Sequence, residues 1–309
     1  VGLVIIGLVI TLNPKQVEFT SQIIMLLLVP PLVFEAAFHI RFDDLRRDFW
    51  LIILLAVPGV ILTTLLVGWL VSWGTGLALQ AALVFGALIA ATDPVAVVEL
   101  FRRLGVPRRL QVLLESESLL NDGTAIVMFG LMLTTALQGR FDLRQSISQF
   151  ITVSGGGVVV GLIFGMSISQ FIKRIDDPLV ETTLTTALAF GSYLLAETFH
   201  VSGVLAVVTA GIVSGNTSQQ TMSASTRLVV YNFWEYAAFV ANSFVFLLIG
   251  LTIDLGILFE NWPAIAWAIL AALLARVVST YGFSSIGREI PPKWKHFLFW
   301  GGLRGAITL

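Results

Sequence analysis

The feature that most limits what this chain can become is an unbroken succession of apolar runs, most of them long enough to cross a bilayer. A spanning helix takes about 20 mainly apolar residues. On that measure eleven segments follow one another: residues 1–12, 20–39, 50–72, 77–101, 112–137, 147–172, 179–198, 201–215, 229–253, 262–284 and 296–309. The first and last are cut short, and 201–215 is short enough to be a half-helix. Hydrophobic residues are 57% of the chain and charged ones 12%, where soluble domains carry about 25% charged. The pattern predicts an all-α, polytopic membrane protein.

The loops give the orientation. Lys and Arg concentrate on cytoplasmic loops. One alternating set of loops holds Arg41, Arg46, Arg47, Arg102, Arg103, Arg108, Arg109, Lys173, Arg174, Arg227, Arg288, Lys293 and Lys295. The other set holds only Lys15, Arg140 and Arg144. Thirteen against three, alternating without a slip, places the start of the first segment on the cytoplasmic side. Arg276 and Arg304 fall inside segments instead.

Other classes are disfavoured by composition. A net charge of −1 leaves no basic footprint for nucleic acid. The absence of cysteine removes disulfides and thiolate metal sites. His39, His200 and His296 lie at predicted helix ends, too scattered to form a ligand cluster. No Pro-rich or Ser-rich linker divides the segments, so residues 1–309 read as one transmembrane domain. The chain opens and closes inside apolar runs, at Val1 and Leu309, which predicts a domain truncated at both ends. Gly157, Gly161 and Gly165 recur every four residues, a stripe suited to close helix packing, within the chain or across a dimer. Trp50, Trp73, Trp234, Trp262 and Trp300 fall near segment ends, where interfacial anchors sit.

Two segments carry acid at depth. Asp93 lies in Leu88-Ile-Ala-Ala-Thr-Asp-Pro-Val-Ala-Val97 and Asp122 in Glu117-Ser-Leu-Leu-Asn-Asp-Gly-Thr-Ala-Ile126. A charge at the bilayer centre costs about 2.5–3.5 kcal/mol even on lenient scales, so such residues are ordinarily functional. Pro94 has no N–H, which deprives the Ala90 carbonyl of its helical partner. It also pushes Asp93 out of helical dihedrals. The segment should therefore break near Thr92-Asp93, and exposed backbone at that depth must be buried in protein or face a wet cavity. Such half-helix ends are where secondary transporters hold ions.

In the next segment, Ser118 and Asp122 stack one turn apart on one face. Glu117 and Asn121 share a stripe about 100° away. Arg276, buried in the tenth segment, needs a carboxylate. Glu117 is the candidate, with Asn121 as a further partner; alternatively, Glu117 is hydrated near the cytoplasmic mouth. Glu35 either approaches the site or wets its inner mouth. Arg304, among the glycines of Gly301-Gly-Leu-Arg-Gly305, marks a second candidate broken helix. Hard oxygen donors favour a small hard cation or a proton over a transition metal. Asp122 could hold either, and each would expel the other.

On these residues the chain resembles the monovalent cation:proton antiporters, the sodium/proton exchanger family, and in particular a bacterial member. The matching stretches are Pro30-Pro-Leu-Val-Phe-Glu35, Ala91-Thr-Asp-Pro94, Glu117-Ser-Leu-Leu-Asn-Asp122, His200-Val-Ser-Gly203, Phe244-Val-Phe-Leu-Leu-Ile-Gly-Leu251, Arg276 and Gly301-Gly-Leu-Arg-Gly305. The resemblance implies an inverted-repeat transporter fold of about thirteen helices with two crossed broken helices. It implies a core that moves against a dimerising scaffold, hence a homodimer in the cell membrane. It places Na+ at Asp122, Asp93, Ser118 and the Thr92 carbonyl, with Glu35 acting through water. Arg276 would pair with Glu117 and Asn121, and Arg304 would sit at the second crossover beyond that of Pro94.

The function implied is exchange of Na+, or Li+, for H+, relevant to pH homeostasis. Na+ and H+ are cargo, and no resident cofactor is expected. Asn121 in place of a second aspartate resembles the electroneutral branch, one proton per sodium. A potassium/proton antiporter is the nearest alternative. A channel fits less well, because a tight carboxylate site slows conduction. An intramembrane aspartyl protease needs two acids sharing a proton and lacks its Gly-x-Gly-Asp stretch here; no enzyme activity is expected. A scaffold without transport would not need Asp93, Asp122 and Arg276 at depth.

Overall fold

The computed structural model describes residues 21–139, 141–286 and 290–302. Among the described residues all regular structure is helical. Its elements are α1 (Ser21–His39), α2 (Phe42–Ala56), α3 (Pro58–Thr75), α4 (Leu79–Leu88), α5 (Val95–Arg103), α6 (Arg108–Gln138) and α7 (Leu143–Ile172). There follow α8 (Pro178–Thr198), α9 (Gly203–Thr221), α10 (Ala224–Thr252), α11 (Leu255–Glu260), α12 (Trp262–Phe283) and α13 (Pro292–Gly301).

Among the described residues, six stretches are long and apolar enough to span a bilayer: α2 with α3, then α6, α7, α8, α10 and α12. Shorter apolar helices lie at Ile24–His39, Leu79–Leu88 and Gly203–Thr217. Large apolar side chains such as Leu65, Ile163 and Phe239 are exposed on these helices, as lipid-facing surfaces require. The protein is a multi-pass membrane protein. The segment expected at 201–215 is not a half-helix; α9 runs continuously for 19 residues. The segment expected at 1–12 lies outside the described residues.

The chain forms two compact units. Among the described residues, one comprises 43–154 with 255–302, the other 21–42 with 155–254. In the first, α6 packs against α3, α4, α5 and α13, while α12 packs on α3. The α3–α4 crossing is close because Gly68 and Gly86 face it. A Cβ on Gly86 would stand 2.5 Å from the Thr64 carbonyl oxygen. Near the start of α6, Arg109 donates to both oxygens of Asp48, at 2.7 and 2.6 Å, and its guanidinium lies 5.5 Å from the Trp294 ring centre. Asp48 leaves helical dihedrals to reach it.

In the second unit, α1 is held by α8, α9 and α10. The stripe Gly157, Gly161 and Gly165 packs on α9, where added Cβ atoms would meet Ser202, Ala206 and Ala210. Trp50, Trp73, Trp262 and Trp300 are exposed, as interfacial anchors should be, but Trp234 is buried. It packs against Phe34, the rings tilted by 41° with centres 4.4 Å apart. Its indole N–H donates to Thr185 Oγ1 at 3.1 Å, which satisfies the polar handle that otherwise draws Trp to an interface.

Candidate functional site

The site is built on the interruption between α4 and α5. The regular bonding of α4 ends at Ile89, whose N–H reaches the Phe85 carbonyl at 3.0 Å, and the Ala90 N–H closes one tighter turn on the Ala87 carbonyl at 3.3 Å. Helix resumes at Val95, directly after Pro94. The break thus falls where Pro94 removes a donor and restricts Asp93. Ala90, Ala91 and Thr92 are nonetheless buried, so the freed backbone needs partners from elsewhere in the protein.

They come from α6. Asn121 Oδ1 accepts from the Thr92 N–H at 3.2 Å, and Asn121 Nδ2 donates to Thr92 Oγ1 at 2.7 Å. Ser118 Oγ donates to the Thr92 carbonyl oxygen. Three polar groups of one residue in the break are therefore satisfied by two residues of one neighbouring helix.

Asp122 follows Asn121 directly and stacks one turn beyond Ser118. It is 7% exposed, and no described residue donates a hydrogen bond to its carboxyl. Asp93, half-buried in the break, is within electrostatic range of it. The Thr92 carbonyl, the Ser118 hydroxyl and the carboxyls of Asp93 and Asp122 are hard oxygens of the kind that ligate small cations. Among the described residues no cluster of three or more His, Cys, Asp or Glu is present.

Glu117 and Asn121, which share the other stripe, serve different partners. Arg276 Nη1 donates to Glu117 Oε1 at 2.6 Å, with the Glu117 side chain 1% exposed. The alternative of a hydrated Glu117 is excluded. Arg276 Nη2 donates to the Leu298 carbonyl at 2.9 Å near the end of α13. Asn121, expected to join Arg276, bonds to Thr92 instead: the broken backbone presents a donor and a hydroxyl, which an amide matches with its two ends. Gly302 completes the pocket, since a Cβ there would overlap the Arg276 guanidinium.

Glu35 lies in the other unit, on α1. His39 Nδ1 stands 3.2 Å from its Oε1 and 2.8 Å from its carbonyl oxygen. Arg304 lies outside the described residues; α13 ends just before it, at Gly301.

The transmembrane sodium/hydrogen exchanger family matches the chain over residues 1–309. The chain belongs to this family. Among curated exchangers, it is 41% identical over 315 residues to the Na(+)/H(+) antiporter ApNhaP of Aphanothece halophytica, covering 99% of this chain and 60% of that protein. It is 38% identical over 319 residues to the low-affinity Na(+)/H(+) antiporter NhaS1 of Synechocystis, again covering 99% and 60%. The chain thus spans about three-fifths of the length of these relatives. The fold is that of an exchanger of known structure, the sodium proton antiporter MjNhaP1 from Methanocaldococcus jannaschii. The match has a TM-score of 0.80 at 25% identity and covers 99% of this chain and 78% of that one.

Two features of the structure escape the sequence. In the Asp48–Arg109 pair, Arg109 reads as a loop charge, and only the kink in α2 reveals that Asp48 turns inward. The role of Gly302 is equally hidden, because a glycine carries no sign of what occupies the space beside it.

Proposed function

We propose that this protein exchanges a monovalent cation, Na+ foremost and Li+ as a second cargo, for H+ by alternating access. Asp122 is the residue at which cation and proton compete. The observation that carries the reading is the placement of a buried Asp122 carboxyl, to which no described residue donates a hydrogen bond, beside a helix break stabilised by Ser118 and Asn121. Thr92, through its carbonyl, Ser118 and Asp93 supply further oxygens to the cation.

Competition follows from charge. A carboxylate buried from water is costly, so the group is occupied by a proton or a cation at all times. One excludes the other, and only an occupied site crosses readily, which couples the two fluxes. Asn121 contributes no charge, so the site carries one proton per sodium and the cycle is electroneutral. Arg276, Glu117 and the end of α13 fix α6 against its neighbours and take no part in ion ligation. The named relatives, all antiporters, support transport over enzymatic chemistry.

A potassium/proton antiporter is the second reading, favoured only by the fact that oxygen ligands alone do not select ion size. The test uses the protein in proteoliposomes with an internal pH dye. Sodium gradients, and lithium more weakly, are expected to drive proton flux, and potassium gradients none. Sodium added to the detergent-purified protein in weak buffer should release protons. Absence of that release would overturn the competition.

A further inference from the structure

The first turn of α8 buries an acid that the ion site does not use. Glu181 is 0% exposed, and neither of its carboxyl oxygens has a hydrogen-bond partner. An unpaired carboxylate away from water is costly, so buried acids are ordinarily paired or neutral. Glu117 meets that cost with Arg276; Glu181 has no such partner.

Two polar bonds between α8 and α10 bracket the position. On one side, Thr226 Oγ1 donates to Asp176 Oδ1 at 3.3 Å. On the other, the Trp234 indole N–H donates to Thr185 Oγ1. Both helices run the same way between these bonds, so Glu181 on α8 and Val230 on α10 lie between them. Glu181 and Thr185 are one turn apart on the buried stripe of α8. Thr226, Val230 and Trp234 are successive turns of the buried stripe of α10. The carboxyl therefore lies at the α8–α10 seam, pinned shut above and below.

The surrounding charges do not answer it. The loop before α8 supplies Asp176 and Asp177, both within electrostatic range and both opposed to a further negative charge. Asp177 is committed to capping α8, accepting from the N–H groups of Leu179 and Val180. Lys173 and Arg174, just after α7, are exposed, and the one ionisable residue within α7, Arg144, is at its opposite end. Helix α9 has no ionisable residue. On α1, Glu35 and His39 meet each other. On α10, Arg227 and Glu235 are exposed, and Tyr231 packs on His39. Among the described residues no group of three acids could hold a metal ion, Asp176, Asp177 and Glu181 included.

We propose that Glu181 is a second proton-binding site, a clasp that closes α8 onto α10 when protonated and releases the seam when the proton leaves, at the end of α8 that the loop charges mark as cytoplasmic. Trp234 packs against Phe34 of α1 as well, so release of the seam reaches α1. The clasp binds no cation and is independent of the exchange at Asp122. Its sign follows from burial. The closed seam holds the neutral acid, so the stability it lends is complete at low pH and is lost as pH rises through the range in which the buried carboxyl ionises.

Amide hydrogen exchange of the purified protein in detergent reads the seam without recourse to transport. After correction for intrinsic exchange, opening of the first turns of α8 and α10 should rise by up to about tenfold per pH unit while the closed form keeps its proton and the open form does not. Glu181→Gln cannot ionise and should make that opening independent of pH. Glu181→Met serves the same purpose should the amide variant fail to elute as a folded species. Infrared spectra of Asp122→Asn protein, in which the ion-site acid is silent, should show a protonated-carboxyl band that is lost when Glu181→Gln is added. The same pH dependence of opening in the parent and in a folded Glu181 variant would overturn the proposal, as would opening of the parent that ignores pH. A protonated-carboxyl band unchanged by the Glu181 substitution would overturn it too, by showing that the proton resides elsewhere.

Discussion

Asn121 holds Thr92 by both ends of its amide, taking the backbone N–H at 3.2 Å and giving a hydrogen bond to the hydroxyl at 2.7 Å. The orientation of the amide is fixed by chemistry, since the Thr92 N–H can only donate and must face the oxygen. Asn121→Ala leaves that N–H buried without a partner, a loss of about 1–3 kcal/mol. A lower melting temperature in detergent, with helical content retained before the transition, is the expected result. An unchanged melt would show that the break is held by other means.

Asn121→Asp preserves an acceptor for the N–H, and the Thr92 hydroxyl can turn to donate to the second oxygen. The fold should survive while the site gains a titratable charge. Proton flux in proteoliposomes should become sensitive to an imposed membrane potential. Flux that stays indifferent to voltage would remove Asn121 from the account of electroneutrality.

Asp122→Asn keeps the shape of the side chain and removes its charge. Sodium-driven proton flux should fall to that of protein-free liposomes, with the melting temperature equal to or above the parent's, because a buried carboxyl has been neutralised. Retained flux would assign the exchange to another group.

Arg276→Ala strands Glu117, whose side chain is 1% exposed. Breaking a buried pair from one side costs about 3–5 kcal/mol. Arg276→Ala with Glu117→Gln should recover much of that loss, since the uncompensated charge is gone. Thermal melts of the two single variants and the double variant form the cycle, and strict additivity would refute the pairing.

Gly302→Ala places a methyl group against the Arg276 guanidinium and should destabilise by about 1–3 kcal/mol, the usual cost of overpacking. Gly282→Ala is the control, because a Cβ there meets nothing within 4 Å. Equal melting temperatures for the two variants would show that Arg276 yields freely.

Much of this molecule is legible without coordinates because membranes impose simple rules. Run length set the helices: the expected 112–137 and 262–284 became α6 and α12 with ends moved by a few residues. Pro94 located the break, and the four-residue spacing of Ser118 and Asp122 set their common face. The Arg276–Glu117 pair followed from the cost of a lone buried charge. Partner choice was harder. Asn121 and Glu117 share a stripe, yet nothing in spacing says that one neighbour presents a guanidinium and the other a broken backbone. Trp234 looked interfacial because its distance from the segment end is similar to that of true anchors; only Thr185, far away in sequence, explains its burial.

One peptide bond separates the residue that ties down the broken strand of backbone from the residue proposed to receive the ion. A shift of the α6 backbone at that point would carry Asn121 with it and strain its two bonds to Thr92. Receptor and latch would then share a single hinge plate, and loading would be felt at the gap between the half-helices without any long-distance relay.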